Sequence, residues 1–399
     1  MRPNRRDILR AAGGLTLLAV AGGVWRGVGG SGSSAAYAPW DDWRAGMHEG
    51  PLALVRAAIL AASVHNSQPW RFRVFPGSID VFADPARTAG VLDPFRREAY
   101  LSLGCAIENM VVAAPSAGFL GRVTLTAGRL DAGAGGTAPV ATIQLDPRSG
   151  SPDPLASAIA ERHTNRGPYD TDRPLPPEIL SGIASLASGS DGIRLALFTD
   201  PEQRAAFALE IARSAEAVLA DEPVLVAQER WLRRGSVEIN ASRDGMPADD
   251  QGASGLGAGI MEILPDLRSH ARYRRMLDEL NDVQLPASPA FGLLSVQDPY
   301  DISQTLEAGR FWQRLHLWAS ARGLALQPMN AVLARVDREK ARGLPAETAR
   351  RLAGFVGDPA WTPTFAFRAG YPLHSGRPGP RRPVESALMP SDAATYTPA

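Results

Sequence analysis

The sequence is poor in the residues that announce most chemistries. A single cysteine, Cys105, stands among 399 residues, so no disulfide can close within the chain and the fold must rest on its apolar core. Cys105 lies in the apolar run Leu103-Gly104-Cys105-Ala106-Ile107, which reads as a buried, inert thiol. A reactive thiolate would want an electropositive, partly exposed site. The six histidines (His48, His65, His163, His270, His316 and His374) show no metal-ligand spacing, so no metal is expected. Neither a nucleophile elbow nor a Gly-x-Gly-x-x-Gly string after a strand is found. Gly252 to Gly259 is rich in glycine but lacks the lysine of a phosphate loop. An excess of either charge is missing too, since 42 Lys+Arg balance 42 Asp+Glu. That balance argues against nucleic acid as a partner and leaves open a local basic pocket for one phosphate.

What remains is ordinary for a soluble globular protein: 45% apolar and 21% charged residues, in a length that fits two domains or one large one. The N-terminus reads as an address. Arg5-Arg6-Asp7-Ile8-Leu9 precedes a mild apolar stretch, and Ala36-Tyr37-Ala38 offers a small-x-small cleavage site. The adjacent arginines resemble a twin-arginine export signal. An uncleaved membrane anchor is the alternative, although the stretch is glycine-rich and broken by Arg26, a poor spanning helix. Residues 1–38 are therefore assigned to the signal, and a periplasmic or other extracytoplasmic location without stable membrane insertion is expected.

Beyond the signal, helical spacing marks Pro51 to Ala62, Leu101 to Ala117, Leu155 to Arg162, Pro201 to Leu219 and Leu306 to Arg322. Strands are predicted at Trp70–Val74, Ile79–Ala83, Val123–Leu125, Val140–Leu145, Leu195–Thr199, Phe291–Val296 and Phe365–Phe367. A flexible turn is expected at Gly133 to Gly136, and a boundary at Ser149 to Pro154. The halves are then residues 44–150 and 151–399. The polar stretch Arg233 to Gly259 is long for a loop, hence functional or disordered. One internal repeat is visible: Gly104 to Phe119 lies on Gly309 to Leu324 without a gap. Both segments begin with glycine and carry an apolar helix, as two helices packed at the centre of a pseudo-dimer would. Chance similarity between two helices is the competing reading. Phe311, Trp312, Leu315 and Trp318, at helical spacing, are read as interface core rather than a substrate stack.

Two strings then carry a resemblance. Ser63-Val64-His65-Asn66-Ser67-Gln68-Pro69-Trp70 resembles the Ser-x-x-Asn-x-Gln-Pro-Trp signature of the FMN-dependent nitroreductases. Glu161-Arg162-His163-Thr164-Asn165-Arg166 resembles the same family's Arg-x-Ser/Thr-x-Lys/Arg element. The first string is fairly specific, the second weak alone. Their order is reversed from that of ordinary members, which are homodimers with FMN between subunits. Each half here keeps what the other lacks, an arrangement that resembles the Acg-type flavoproteins over about Pro51 to Met389.

The resemblance implies an α+β fold of two nitroreductase-like repeats in an intrachain pseudo-dimer, each a mixed sheet flanked by helices. It implies one FMN as cofactor, with NAD(P)H and a small nitroaromatic or quinone-like acceptor as partners in ping-pong order. Arg162 and Thr164 would hold the phosphate, because a guanidinium binds phosphate bidentately. Arg166 would approach the flavin pyrimidine edge and raise its reduction potential. Ser63, His65, Asn66 and Gln68 would reach the flavin from the first half. Gln327, Pro328 and Met329 would pass its N5 edge and offer backbone N–H groups. Arg381 and Arg382 would return to the phosphate from the tail. The plainer readings are a solvated helix end for Arg162 and Arg166, a self-satisfied turn at Asn66 and a solvated tail. No side-chain acid or base need be assigned, because the flavin carries the chemistry. Two other functions compete: an FMN-sequestering protein with little turnover, and a solute-binding protein without flavin.

Overall fold

The computed structural model describes residues 34–46, 49–131, 138–148, 151–190, 192–248 and 269–390. Residues 1–33 of the expected export signal, the expected turn at Gly133–Gly136, residues 149–150 of the expected boundary and the end of the Arg233–Gly259 stretch lie outside them.

The helices are α1 (Ala38–Arg44), α2 (Gly50–Ala58), α3 (Arg97–Ala113), α4 (Pro177–Ser188), α5 (Pro201–Leu219), α6 (Glu222–Glu229), α7 (Gly235–Ser242), α8 (Ser269–Glu279), α9 (Ile302–Ser320), α10 (Ala331–Ala341) and α11 (Glu347–Val356). The strands are β1 (Trp70–Phe75), β2 (Ser78–Ala83), β3 (Phe119–Leu125), β4 (Ala141–Pro147), β5 (Arg194–Phe198), β6 (Leu232–Arg233), β7 (Met246–Pro247), β8 (Ala290–Val296), β9 (Ala325–Pro328) and β10 (Thr362–Gly370). One four-stranded sheet runs β1-β2-β4-β3 and a second β5-β8-β10-β9. The fold is α+β. The sheets expected to be mixed are antiparallel ladders throughout. Parallel pairing is confined, among the described residues, to β6–β7 and to a bridge between Phe72 and Leu388. That bridge lays the C-terminal tail along the edge of the first sheet, where the Met389 N–H donates to Phe72 O at 2.7 Å.

The long helices α3 and α9 form the centre. α3 is buried nearly all round, as its sequence requires. Asp93 starts it by accepting from the N–H groups of Glu98 and Ala99, at 3.1 and 2.9 Å. Asp301 does the same for α9, accepting from Gln304 N at 2.9 Å. The two helices meet at Gly104 and Gly309, the pair that the expected internal repeat would align. A Cβ on Gly104 would strike the Leu306 carbonyl, and one on Gly309 would strike the Leu101 carbonyl. The contact is reciprocal: each glycine meets the carbonyl three residues before the other. Around it, Glu108 pairs with Arg310 and Arg314, and Gln313 Nε2 donates to Asn109 Oδ1 at 2.7 Å. One continuous core, running from Trp40 to Ala387, includes side chains of both sheets and both central helices. A smaller core around Phe207, Phe291 and Leu352 fills the far face of the second sheet.

Several expectations shift. The Leu155–Arg162 helix is only a short 3-10 turn, Ala156–Ile159. The described part of the Arg233–Gly259 stretch is not a bare loop, since β6, α7 and β7 close it into a folded strap. Ala36, at the expected cleavage site, is fully buried, and its carbonyl accepts from Arg381 N at 2.7 Å. No helix of the described residues is long and apolar enough to cross a membrane.

Candidate cofactor site

The Ser63–Gln68 turn joins α2 to β1. His65, Asn66 and Gln68 all adopt positive φ, at 48°, 53° and 52°, although none is glycine. Such a backbone costs roughly 1–3 kcal/mol per residue and persists only where its surroundings over-determine it. They do so here. Ser63 Oγ accepts from Gln68 N at 3.1 Å, Ser102 Oγ accepts from Val64 N at 2.9 Å, and Arg87 Nε donates to Ser67 O at 2.6 Å. Asn66 Nδ2 donates to Gly245 O at 2.9 Å and to Pro380 O at 2.8 Å, while its Oδ1 accepts from Arg381. Gln68 Nε2 donates to Arg243 O at 3.0 Å, and its Oε1 accepts from Arg382 N at 3.0 Å. The two amides therefore brace the strap and the tail, and both Nδ2 hydrogens of Asn66 are spent on protein carbonyls.

Behind this turn two guanidinium groups lie buried together. Arg162 follows the short 3-10 turn and is 2% exposed; its Nη2 donates to Leu60 O at 3.2 Å. Arg381 comes from the tail and is 4% exposed; its Nη2 donates to Leu60 O and Ala61 O at 3.4 and 3.2 Å. Both use the carbonyl of Leu60, just past the C-terminus of α2, where a helix presents partial negative charge. The Nε of each has no partner. Among the described residues neither meets a carboxylate. Burial pushes Arg162 down to about 10. Burial and then the neighbouring Arg162 hold Arg381 well below the usual arginine range. Trp40 lies under the Arg381 guanidinium at 4.8 Å, and its indole N–H donates to Gly379 O at 2.8 Å.

Two histidines stand beside these cations and a third, His65, beside Arg166. His163 meets the Trp40 ring edge-on at 4.7 Å, and its Nδ1 has no partner. Burial, then Arg162, Arg381 and Arg44, hold it down to about 3. His316, from α9, is fully buried with its ring against the His163 backbone and no well-formed side-chain bond, and burial followed by Arg162 lowers it well below its ordinary value. His65 is lowered to about 4 by burial and then by Arg166. Cys105 contributes no reactive thiol: its S–H donates to Gly309 O at 3.3 Å, and burial pushes it up to about 12.

Thr164 and Arg166 continue the Arg162 loop, and Arg166 Nη2 reaches Met246 Sδ of the strap at 3.9 Å. The loop is anchored by Asn165, whose N–H donates to Leu326 O at 3.3 Å and whose Nδ2 donates to His374 O at 2.6 Å. Arg368 adds a bond from Nη2 to Gly167 O at 2.6 Å.

The remaining expected residues are engaged elsewhere. Gln327 Nε2 donates to Gln284 Oε1 at 2.9 Å, and its Oε1 accepts from Arg368 Nε at 2.7 Å. The Met329 N–H, expected to face a cofactor, donates instead to Ala366 O at 2.7 Å, with its side chain in the smaller core. Pro328 closes β9 and has no N–H to offer. Arg382 turns away from Arg381 and donates from Nη2 to Ser386 O at 2.7 Å. Sequence reasoning did not find Trp40, the ring of His163, His316 or the strap residues Arg243–Met246. His163 stands in the second string only as a variable position, and the others sit in neither string; only the chain's return to one place unites them.

No protein-family model matches the chain. Among curated proteins, "Putative NAD(P)H nitroreductase Rv3131" of Mycobacterium tuberculosis is 30% identical over 282 residues, 69% of this chain and 74% of that protein. "Uncharacterized protein Rv3127" of the same organism is 24% identical over 351 residues, 84% of this chain and 91% of that one. Similar solved structures include the FMN and NADPH-dependent nitroreductase NfnB of "sphigopyxis sp. strain HMH". It is 16% identical, with a TM-score of 0.37, over 59% of this chain and 98% of that one. A nitroreductase of Desulfitobacterium hafniense with bound FMN is 14% identical, with a TM-score of 0.34, over 61% and 98%. On the 30% identity that spans about three quarters of the mycobacterial relative, this chain belongs to the NAD(P)H nitroreductase family.

Proposed function

We propose that the chain holds one FMN between its halves and works as an FMN-dependent oxidoreductase, with NAD(P)H as donor and a small nitroaromatic or quinone-like acceptor. The observation that carries this reading is the buried pair Arg162 and Arg381, which share one carbonyl and meet no carboxylate among the described residues. Two like charges taken out of water without a counterion cost several kcal/mol. A phosphate dianion relieves that cost and fits the free Nε groups. Thr164 would join them at the phosphate. Arg166, beside His65 and the strap, supplies a cation where negative charge on a reduced flavin would be favoured. When bound, FMN supplies the hydride-accepting centre; the protein binds it, tunes it and controls access. Ser63, Asn66 and Gln68 shape the turn and fasten Arg381. Arg382 braces the tail, and Gln327 to Met329 form part of the second sheet.

The reciprocal contact of Gly104 and Gly309 supports the reading of an internal repeat, because isologous packing makes residue i meet j while j meets i. The site then lies where the first half's Asn66 meets the second half's Arg162 and Arg381, as in the Acg-type arrangement. Export through a twin-arginine signal belongs to the same proposal, with the cut placed so that buried Ala36 stays with the folded protein. The test is flavin retention through gel filtration. Arg162→Ala and Arg381→Met should each lose most of the FMN while the far-ultraviolet spectrum stays unchanged; full retention in both rejects the site.

A second reading, flavin storage with little turnover, draws on the strap. Gly245 N donates to Asn66 O at 3.1 Å, and Asp244 pairs with both Arg87 and Arg233, so the strap is bolted over the turn. Anaerobic addition of NADH or NADPH separates the two. Bleaching of the yellow colour supports the reductase; persistent colour supports storage.

A further inference from the structure

We infer that His163 and His316 complete the phosphate-holding set, and that this pair takes up one proton when FMN binds. The inference rests on the reading that FMN binds beside Arg162 and Arg381. Four side chains there bury nitrogens without a well-formed hydrogen bond: Nε of Arg162, Nε of Arg381, Nδ1 of His163, and the ring of His316, which meets only the His163 backbone. They converge from the loop after the 3-10 turn, from the tail and from the middle of α9. Buried polar groups nearly always find a hydrogen bond, and an apolar interior has no reason to collect four side chains that lack one. A phosphate dianion offers the acceptors and the charge that this cluster lacks.

Histidine differs from arginine in being able to change charge. Without an anion, desolvation and the adjacent guanidinium groups keep both rings neutral. A neutral ring donates from one nitrogen only; a protonated ring donates from both. A dianion placed among them replaces cation repulsion with attraction and favours the imidazolium. The groups facing the pair are few. Arg162 comes from the loop, Arg381 from the tail and Arg44 from α1. α3 carries Cys105, whose thiol stays protonated, and Glu108, which is tied to Arg310 and Arg314. On β10, Arg368 is turned to Gln284, Gln327 and Gly167. Among the described residues no carboxylate is left over to hold a proton on the histidines before the phosphate arrives. The two rings influence each other, so the proton belongs to the pair.

The FMN-loaded protein provides the test. Its dissociation constant is read from recovered flavin fluorescence on dilution between about pH 7 and about pH 8.5, above the second phosphate pKa of about 6. Uptake of one proton predicts a dissociation constant that rises about tenfold per pH unit. Riboflavin, which lacks the phosphate, should show no such slope. His163→Phe and His316→Phe, checked for native circular dichroism, should flatten the FMN slope. A flat slope in the wild type, an equal slope with riboflavin, or an unchanged slope in both variants overturns the inference. Failure to bind FMN at all overturns the site reading as well. The wild-type comparison of FMN with riboflavin decides the matter even where a variant does not fold.

Discussion

Arg97 shows how a single charge can hold the two halves together. It is 1% exposed at the start of α3; its Nε donates to Asp337 of α10 at 2.9 Å, and it also donates to Thr364 O of β10. Tyr300 OH donates to the other Asp337 oxygen at 2.7 Å. Asp93 and Glu98 crowd the same place. Burial, only partly offset by Arg97, holds Asp93 up to about 6 and Glu98 up to about 8. A carboxyl raised in the folded state contributes stability while protonated. That contribution is present below the unfolded pKa, near 4.3 for glutamate, and is lost as pH rises through about 8. The melting temperature should therefore fall across this window. Glu98→Gln should flatten the fall and gain about 2–4 °C at the alkaline end, read by thermal denaturation at a series of pH values. An equally steep fall in the variant contradicts this assignment. At this scale the sequence was partly legible. Asn66, Gln68, Arg162, Thr164 and Arg166 stand in short strings, and such strings mark local backbone requirements. Asn66 and Gln68 also brace the strap and the tail, which a string cannot show, because Gly245, Pro380 and Arg243 arrive from elsewhere to use their amides. His316 was invisible, since one histidine inside an apolar helix reads as core.

The central elements are two helices in backbone contact. Gly104→Ala should destabilise the protein by about 1–3 kcal/mol or more, because the new methyl overlaps the Leu306 carbonyl in a place where neither helix can yield. Gly354→Ala is the control: Gly354 sits exposed in α11 with open space around its missing Cβ, and alanine there should stabilise by about 0.5–1 kcal/mol. Urea denaturation of both checks the pair, and similar effects of the two changes would remove the close crossing. The strap carries its own prediction. Asp244→Ala removes the partner of Arg87 and Arg233, so bleaching of the flavin by NAD(P)H should become faster; an unchanged rate means that the strap does not gate the site. Elements with a full apolar stripe or a clear cap were legible. Pro201–Leu219 was read to its ends, since Asp200 caps it through Glu202 N and Gln203 N and a proline opens it. α10 and α11 were not, because they are short and heavily charged and bury few residues each.

For the whole molecule, one core spans both halves, so the boundary expected near Ser149–Pro154 divides the sequence without dividing the packing. The tail that lies along β1 ties the second half to the first sheet and delivers Arg381 to Leu60, Ala61 and Asn66. Fold class was legible because alternation and helical spacing are local properties. The joining of the halves was not, because it depends on long-range pairings that no window of sequence contains. In the proposed state one FMN per chain is held across the halves by its phosphate. The most direct measurement is the flavin-to-protein ratio by absorbance, after saturation with FMN or riboflavin and exhaustive dialysis. The account predicts one FMN per chain and almost no riboflavin. A colourless protein, two FMN per chain, or equal retention of both flavins contradicts it.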